Sequence, residues 1–234
     1  MRGVSTAMSA RTYPLVRALL RPVARTLPRR ALVTAGTLGL LFAAVPRLYD
    51  RPDAALGLTV LRTAALAFAL GVAFLCDDPA RHTTATVPTR RVVRGALRVA
   101  LLAPCAVLWW TAALLLVPPG ARPPAGAVTL EAASLTMLAL ATATAAAWLR
   151  DDPEPGRRAA AALLTLTMAT ALLPSERWGL FVPLGSPHWD AAHQRWATLL
   201  AVAALCWACC VGEAFRAAGR WSRGRFALRF PSGR

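Results

Sequence analysis

The sequence predicts an all-α fold, a polytopic membrane helical bundle of six transmembrane helices. Three observations lead there. Apolar runs of about the 17–25 residues that a bilayer crossing needs recur along the chain. Only 16% of the 234 residues are charged, against about 25% in ordinary soluble domains. The charge is lopsided, with 27 basic residues to 11 acidic and a formal net charge of +16. Every basic residue is arginine, and the arginines gather between the apolar runs. A nucleic-acid binder would carry them along one face of a soluble fold, so that class is set aside.

The first 30 residues form a basic segment. Arg17, Arg21, Arg25 and Arg29 stand four apart and share one helical face, with Leu15, Val16, Leu19, Leu20 and Val23 filling the remainder. That pattern suits an amphipathic helix lying on the inner leaflet. Pro22 would bend or split it, and a flexible basic tail is the competing reading. Span one follows from Ala31 to about Tyr49. Arg29 and Arg30 before it also suit a signal peptide, but no small-x-small cleavage site follows the run. Span two is Ala54 to Cys76.

The stretch "FLCDDPARHTTATVPTRRVV" comes next. Asp78 is a good N-cap and Pro79 is favoured at a first helical position. A short helix from Pro79 to Ala85 is expected, ended by Pro88. Thr89 can cap the next helix, which carries Arg90, Arg94 and Arg98 into span three, Val99 to Val117. Span four is Ala127 to Leu149. It leaves through "WLRDDPEP", a short echo of the first DDP exit. Span five, Ala159 to Leu173, stops at Pro174. The segment "PSERWGLFVPLGSPHWDAAHQRW" then holds Trp178, Trp189 and Trp196, residues typical of a membrane interface. "WGLFVPLG" is too short to cross and suits a re-entrant dip, while "SPHWDAAHQRW" reads as a separate surface helix. Span six is Ala197 to Phe215, and residues 216–234 form a second basic tail.

Twenty-one of the 27 arginines fall in the two tails and in the loops after spans two and four. Positive segments stay cytoplasmic. Both termini are therefore expected in the cytoplasm, in a multi-pass protein of the plasma membrane. The arginines beside anionic headgroups make membrane lipid the first expected partner, with no nucleic acid.

Few residues invite chemistry. His188, Asp190 and His193 raise a metal site, but two histidines five apart match one helical face poorly. No metal and no cofactor are expected. Cys206, Cys209 and Cys210 fall within span six, and Cys76 and Cys105 in or near spans, where small packing residues are the plain reading. There is no G-x-S-x-G, no phosphate-cradling loop and no acidic set of the lipid-transferase kind, so catalytic residues are not assigned and no enzyme is expected. Arg62 and Glu131 stand out, because an intramembrane charge costs about 2.5–3.5 kcal/mol and usually marks function. Counted from the starts of spans two and four, their depths differ by about 6 Å at about 1.5 Å per residue. An ion pair and a lone snorkelling Arg62 are both open on that count.

"FLCDDPA…PTRR" and "LLPSERWGLFVPLGSPHWDAAHQRWATLL" resemble actinobacterial membrane proteins described as permease subunits of ATP-binding-cassette transporters. The resemblance runs from about residue 31 to 212, and the layout is similar to six-span export permeases. It implies a separate cytoplasmic ATPase subunit and a homodimer or a heterodimer with another permease. It also implies an ATPase-docking loop from Asp77 to Arg91, with Asp77, Asp78, Pro79, Arg81, Arg90 and Arg91 as its candidates. An outer re-entrant segment would include Trp178, Pro183, His188 and Trp189. A non-transporting membrane scaffold or accessory subunit, and a lipid-acting membrane enzyme, are the two other classes the sequence leaves open.

Overall fold

A computed structural model describes residues 28–50, 52–77, 91–149, 154–172 and 179–227, the backbone alone at 76, 91–96, 148–149 and 212–227. These residues form helices and no strand. The helices are α1 (Arg29–Ala44), α2 (Ala54–Ala73), α3 (Arg91–Leu116), α4 (Ala125–Leu149), α5 (Pro155–Leu172) and α6 (Trp189–Ala227). Short 3-10 turns extend α1 through Val45–Leu48 and α2 through Phe74–Cys76, and a third, Pro119–Ala121, precedes α4.

Five segments are long and apolar enough to cross a membrane: Arg29–Leu48, Ala54–Ala73, Leu97–Leu116, Ala125–Ala147 and Trp189–Val211. The sixth helix, α5, has 18 residues and carries Arg157 and Arg158 in its first turn. Its clean apolar part is short for a full crossing, so the six expected spans become five with a shorter sixth. The fold is compatible with a multi-pass membrane protein. The expected interfacial helix of the N-terminal tail lies outside the described residues, although α1 takes in Arg29 and Arg30.

One boundary differs from expectation. No separate surface helix precedes span six, since α6 runs unbroken from Trp189 for 39 residues. Ala192, Trp196 and Ala203 are buried and share a face at helical spacing. The same side therefore packs through the tryptophan-rich start and through the apolar run, and nothing breaks the helix between them.

The centre is the seam of α2 and α4. Ala65, Ala69 and Ala73 meet Ala132, Leu135, Ala139 and Ala143, with Ala159 and Leu163 of α5 and Trp196 of α6 closing around them. Small side chains let membrane helices approach closely, where apolar burial against lipid contributes little. The α1–α2 hairpin uses the same device. A Cβ on Gly71 would stand 2.6 Å from the Ala35 methyl, and one on Gly39 would stand 2.5 Å from the Trp109 ring. The Trp109 ring lies flat on Phe68 with centroids 4.4 Å apart. Its Nε1 donates to the Gly36 carbonyl at 2.9 Å. By contrast α3 and α6 bury only 6% and 11% of their spanning windows, so most of their surface is left to lipid or another chain. Cys105, Cys206 and Cys209 lie on that exposed surface. The packing role expected for them is therefore absent within one chain.

Helix ends are secured by polar groups. Asp53 caps α2 by accepting from the Leu56 amide at 2.7 Å. Arg47 donates from Nε to the Leu116 carbonyl at 2.7 Å and from Nη2 to that of Leu115 at 3.1 Å. It thereby satisfies the unpaired carbonyls at the C-terminus of α3 with a cation, the sign a helix C-terminus favours. At the opposite end the Asp77 carboxylate accepts from the Gly156 amide at 2.7 Å, joining the end of α2 to the first turn of α5. Arg98, 5% exposed, donates from Nη1 to the carbonyls of Leu75 and Asp77 at 3.1 and 3.3 Å.

Candidate functional site

Arg62 and Glu131 meet inside the bundle. Arg62 stands on α2 and Glu131 on α4, and both side chains are largely buried between the two helices. Arg62 Nε donates to Glu131 Oε2 and Arg62 Nη2 to Oε1, each at 2.7 Å. This two-pronged arrangement is the strongest that guanidinium and carboxylate form. The Glu131 side chain is 2% exposed and that of Arg62 15%. The third donor, Arg62 Nη1, reaches the Val182 carbonyl at 3.1 Å. The guanidinium carbon lies 5.4 Å from the Phe181 ring centroid and 6.0 Å from that of Trp189, within cation–π range.

Residues 179–188 cap this pair. The segment is irregular, turning at Leu184 and Gly185, where φ of +80° suits glycine. Irregular backbone at membrane depth needs partners for its carbonyls. Those of Pro183, Ser186 and His188 accept from the backbone amides of Ser186, Trp189 and Ala192, and three more accept from side chains. Gly179 accepts from Arg195 Nη1 at 3.0 Å. Leu180 accepts from Trp196 Nε1 at 2.9 Å, and Val182 accepts from Arg62. Phe181 meets the edge of Trp196 with centroids 5.3 Å apart. The Ser134 hydroxyl of α4 lies between the Leu130 carbonyl at 2.7 Å and the Trp196 carbonyl at 3.0 Å, and its one hydrogen serves either, bringing α6 to the same level.

His193 is the third titratable member. Its Nε2 lies 3.2 Å from Glu131 Oε1, and the side chain is 13% exposed. Its Nδ1 lies 2.9 Å from the Trp189 carbonyl, which can only accept, so Nδ1 carries the hydrogen. The approach of Nε2 to Oε1 is close enough for charge attraction, yet it is bent away from hydrogen-bond geometry. The Trp189 ring stacks obliquely on the imidazole, centroids 4.3 Å apart.

The other sequence candidates fall apart from this cluster. Asp77 joins α2 to α5 at the opposite end, and Arg91 begins α3. Asp78, Pro79, Arg81, Arg90 and Trp178 lie outside the described residues. Pro183 is exposed in the cap, and the His188 amide donates to Ser186 Oγ at 3.2 Å. Among the described residues no group of three His, Cys, Asp or Glu is placed to hold a metal ion. Reading residues 186–196 as a surface helix put His193 outside the bundle, and the re-entrant dip gave no sign of what Phe181 and the Val182 carbonyl would meet. The buried spacing of Ala192, Trp196 and Ala203 was the signal, since it sets His193 beside the inward face.

The fold and site define an all-helical protein with five to six helices of membrane-spanning character and a capped, buried ion cluster at one end. No family model, no curated protein and no solved structure matches the chain.

Proposed function

We propose that this chain is the membrane-spanning permease subunit of an ATP-driven transporter of the ATP-binding-cassette type, an exporter, working with a separate cytoplasmic ATPase. It would lie in the plasma membrane with both tails cytoplasmic and pair with a second copy or a sister permease. It would not itself be an enzyme.

The observation that carries this reading is the capped Arg62–Glu131 pair. A buried ion pair is weak evidence for stability, because apolar residues of similar volume often do as well or better. Charges kept within an apolar bundle point to a structure that must open, and this pair joins the two central helices beneath an irregular segment. In this reading it is the latch of the outer end. Two further features support it. The mostly exposed α3 and α6 leave surface for a second membrane subunit. Arg98 and Asp77 secure the residues just before the proposed docking loop.

The test is purification of the full chain from native membranes in mild detergent. A P-loop ATPase is expected at fixed stoichiometry, with vanadate-sensitive ATP hydrolysis. E131Q is expected to keep the complex and alter its hydrolysis rate. Recovery of the chain with no ATPase in several detergents would sink the permease reading and favour the scaffold.

A further inference from the structure

The cluster holds a third titratable group that the latch itself does not use. Glu131 is satisfied by two guanidinium donors, yet His193 is held against its Oε1. The Trp189 carbonyl fixes Nδ1 as the donor nitrogen. A neutral ring therefore holds the electron-rich Nε2 beside a carboxylate oxygen 3.2 Å away, an approach that repels. A protonated ring brings positive charge to the same place, and the approach attracts. The Trp189 face against the ring also favours a cation. Arg62 on α2 opposes it with like charge. Among the described residues, the remaining ionisable groups nearby are His188 at the end of the cap and Asp190 and Arg195 on α6 itself. Asp190 is exposed, and Arg195 is turned to the Gly179 carbonyl.

We propose that the approach of His193 Nε2 to Glu131 Oε1 is a proton-binding site, and that a proton there fastens the start of α6 and its cap to α4. Histidine is the side chain whose charge changes between about pH 5 and 8. The cap is joined to α6 through the Gly179 and Leu180 carbonyls and to the latch through that of Val182. One added charge-assisted contact at His193 therefore acts on the whole capped end. This inference goes beyond the permease reading and needs no ATPase, so the two can fail separately.

The test uses the full chain in lipid nanodiscs, with its five cysteines replaced. V182C reports opening of the cap, since Val182 is 6% exposed. L184C is the exposed control, 39% accessible at the cap turn. The ratio of their maleimide labelling rates at each pH cancels the thiol's own ionisation. The ratio is expected to fall about fivefold from pH 8 to pH 5.5, the upper end of what an ion pair without hydrogen-bond geometry contributes. H193Q is expected to abolish that dependence, and H188Q to retain it. A ratio flat in pH, or one that titrates unchanged in H193Q, would overturn the proposal. Should H193Q fail to fold, Trp189 emission supplies the second reading. Imidazolium against the ring quenches indole, so the wild-type minus W189F signal should fall on acidification through the same pH range. A pH-independent difference would likewise refute the site.

Discussion

Replacing Arg62 by leucine isolates what the latch contributes. The substitution removes two bonds to Glu131 and one to the Val182 carbonyl, along with the cation contacts to Phe181 and Trp189. Side-chain hydrogen bonds between membrane helices average about 0.6 kcal/mol each, so three amount to about 2 kcal/mol. The larger effect is the stranded carboxylate. Glu131 is 2% exposed and cannot turn to water. Removing one partner of such a pair costs about 3–5 kcal/mol, and R62L is expected in that range. The double variant R62L/E131L strands no charge and should lie within about 1–2 kcal/mol of the parent. The assay is reversible unfolding in mixed micelles, read by tryptophan emission and by steric trapping. If R62L costs less than about 1 kcal/mol, or the double variant costs the sum of the two singles, Glu131 does not depend on Arg62 and the latch reasoning fails.

Other expectations concern close approach and capping. A methyl on Gly57 would overlap the Ala121 carbonyl oxygen, so G57A should lose about 1–3 kcal/mol in the same unfolding assay. G120A, with nothing near its added methyl, should change by less than about 0.5 kcal/mol. W109F keeps the stack on Phe68 and loses the bond to the Gly36 carbonyl, a cost of about 0.5–1.5 kcal/mol. D53A removes the cap of α2 and should cost about 1 kcal/mol, seen as faster amide exchange at Leu56. D77A should release the first turn of α5, read as faster exchange at Gly156.

Helix positions were legible in the sequence because a membrane demands long apolar runs, and nothing else in the chain competes with that pattern. Asp53 before Ala54 illustrates the limit: the apolar run alone placed the start of the helix, and the capping carboxylate emerges only in the structure. Arg62 and Glu131 were legible as well, since a charge within such a run has few places to go. What was hidden depends on contacts between distant segments. Neither the Val182 carbonyl nor the ring of Phe181 carries a sequence signal, because a carbonyl belongs to every residue and its use is set by which element lies opposite. His193 was obscured for another reason. Pro187 and the tryptophans around it read as a surface, and the inward spacing of Ala192, Trp196 and Ala203 crosses the boundary that reading drew.

Where the bundle can yield follows from how its polar groups are spread. Among the described residues, the polar contacts flanking the α2–α4 seam gather at two levels, while α1 and α3 are joined separately through Trp109 and Arg47. One holds Arg62, Glu131, His193 and Ser134, and the other holds Asp77 and Arg98. Between them the α2–α4 seam is mostly alanine, with Leu135 among it, and Thr136 and Thr142 turn their hydroxyls to carbonyls of their own helix. Lipid gives no hydrophobic penalty for parting such a seam, so its hold is contact alone. Alanine faces are also smooth and resist sliding less than interlocked large side chains. The resistance to opening at either end therefore lies in a few charges. At the capped end those charges come from three separate helices. Releasing Glu131 from its partners removes contacts that α4 makes with both α2 and α6, whereas releasing any one contact of the alanine seam removes none of them.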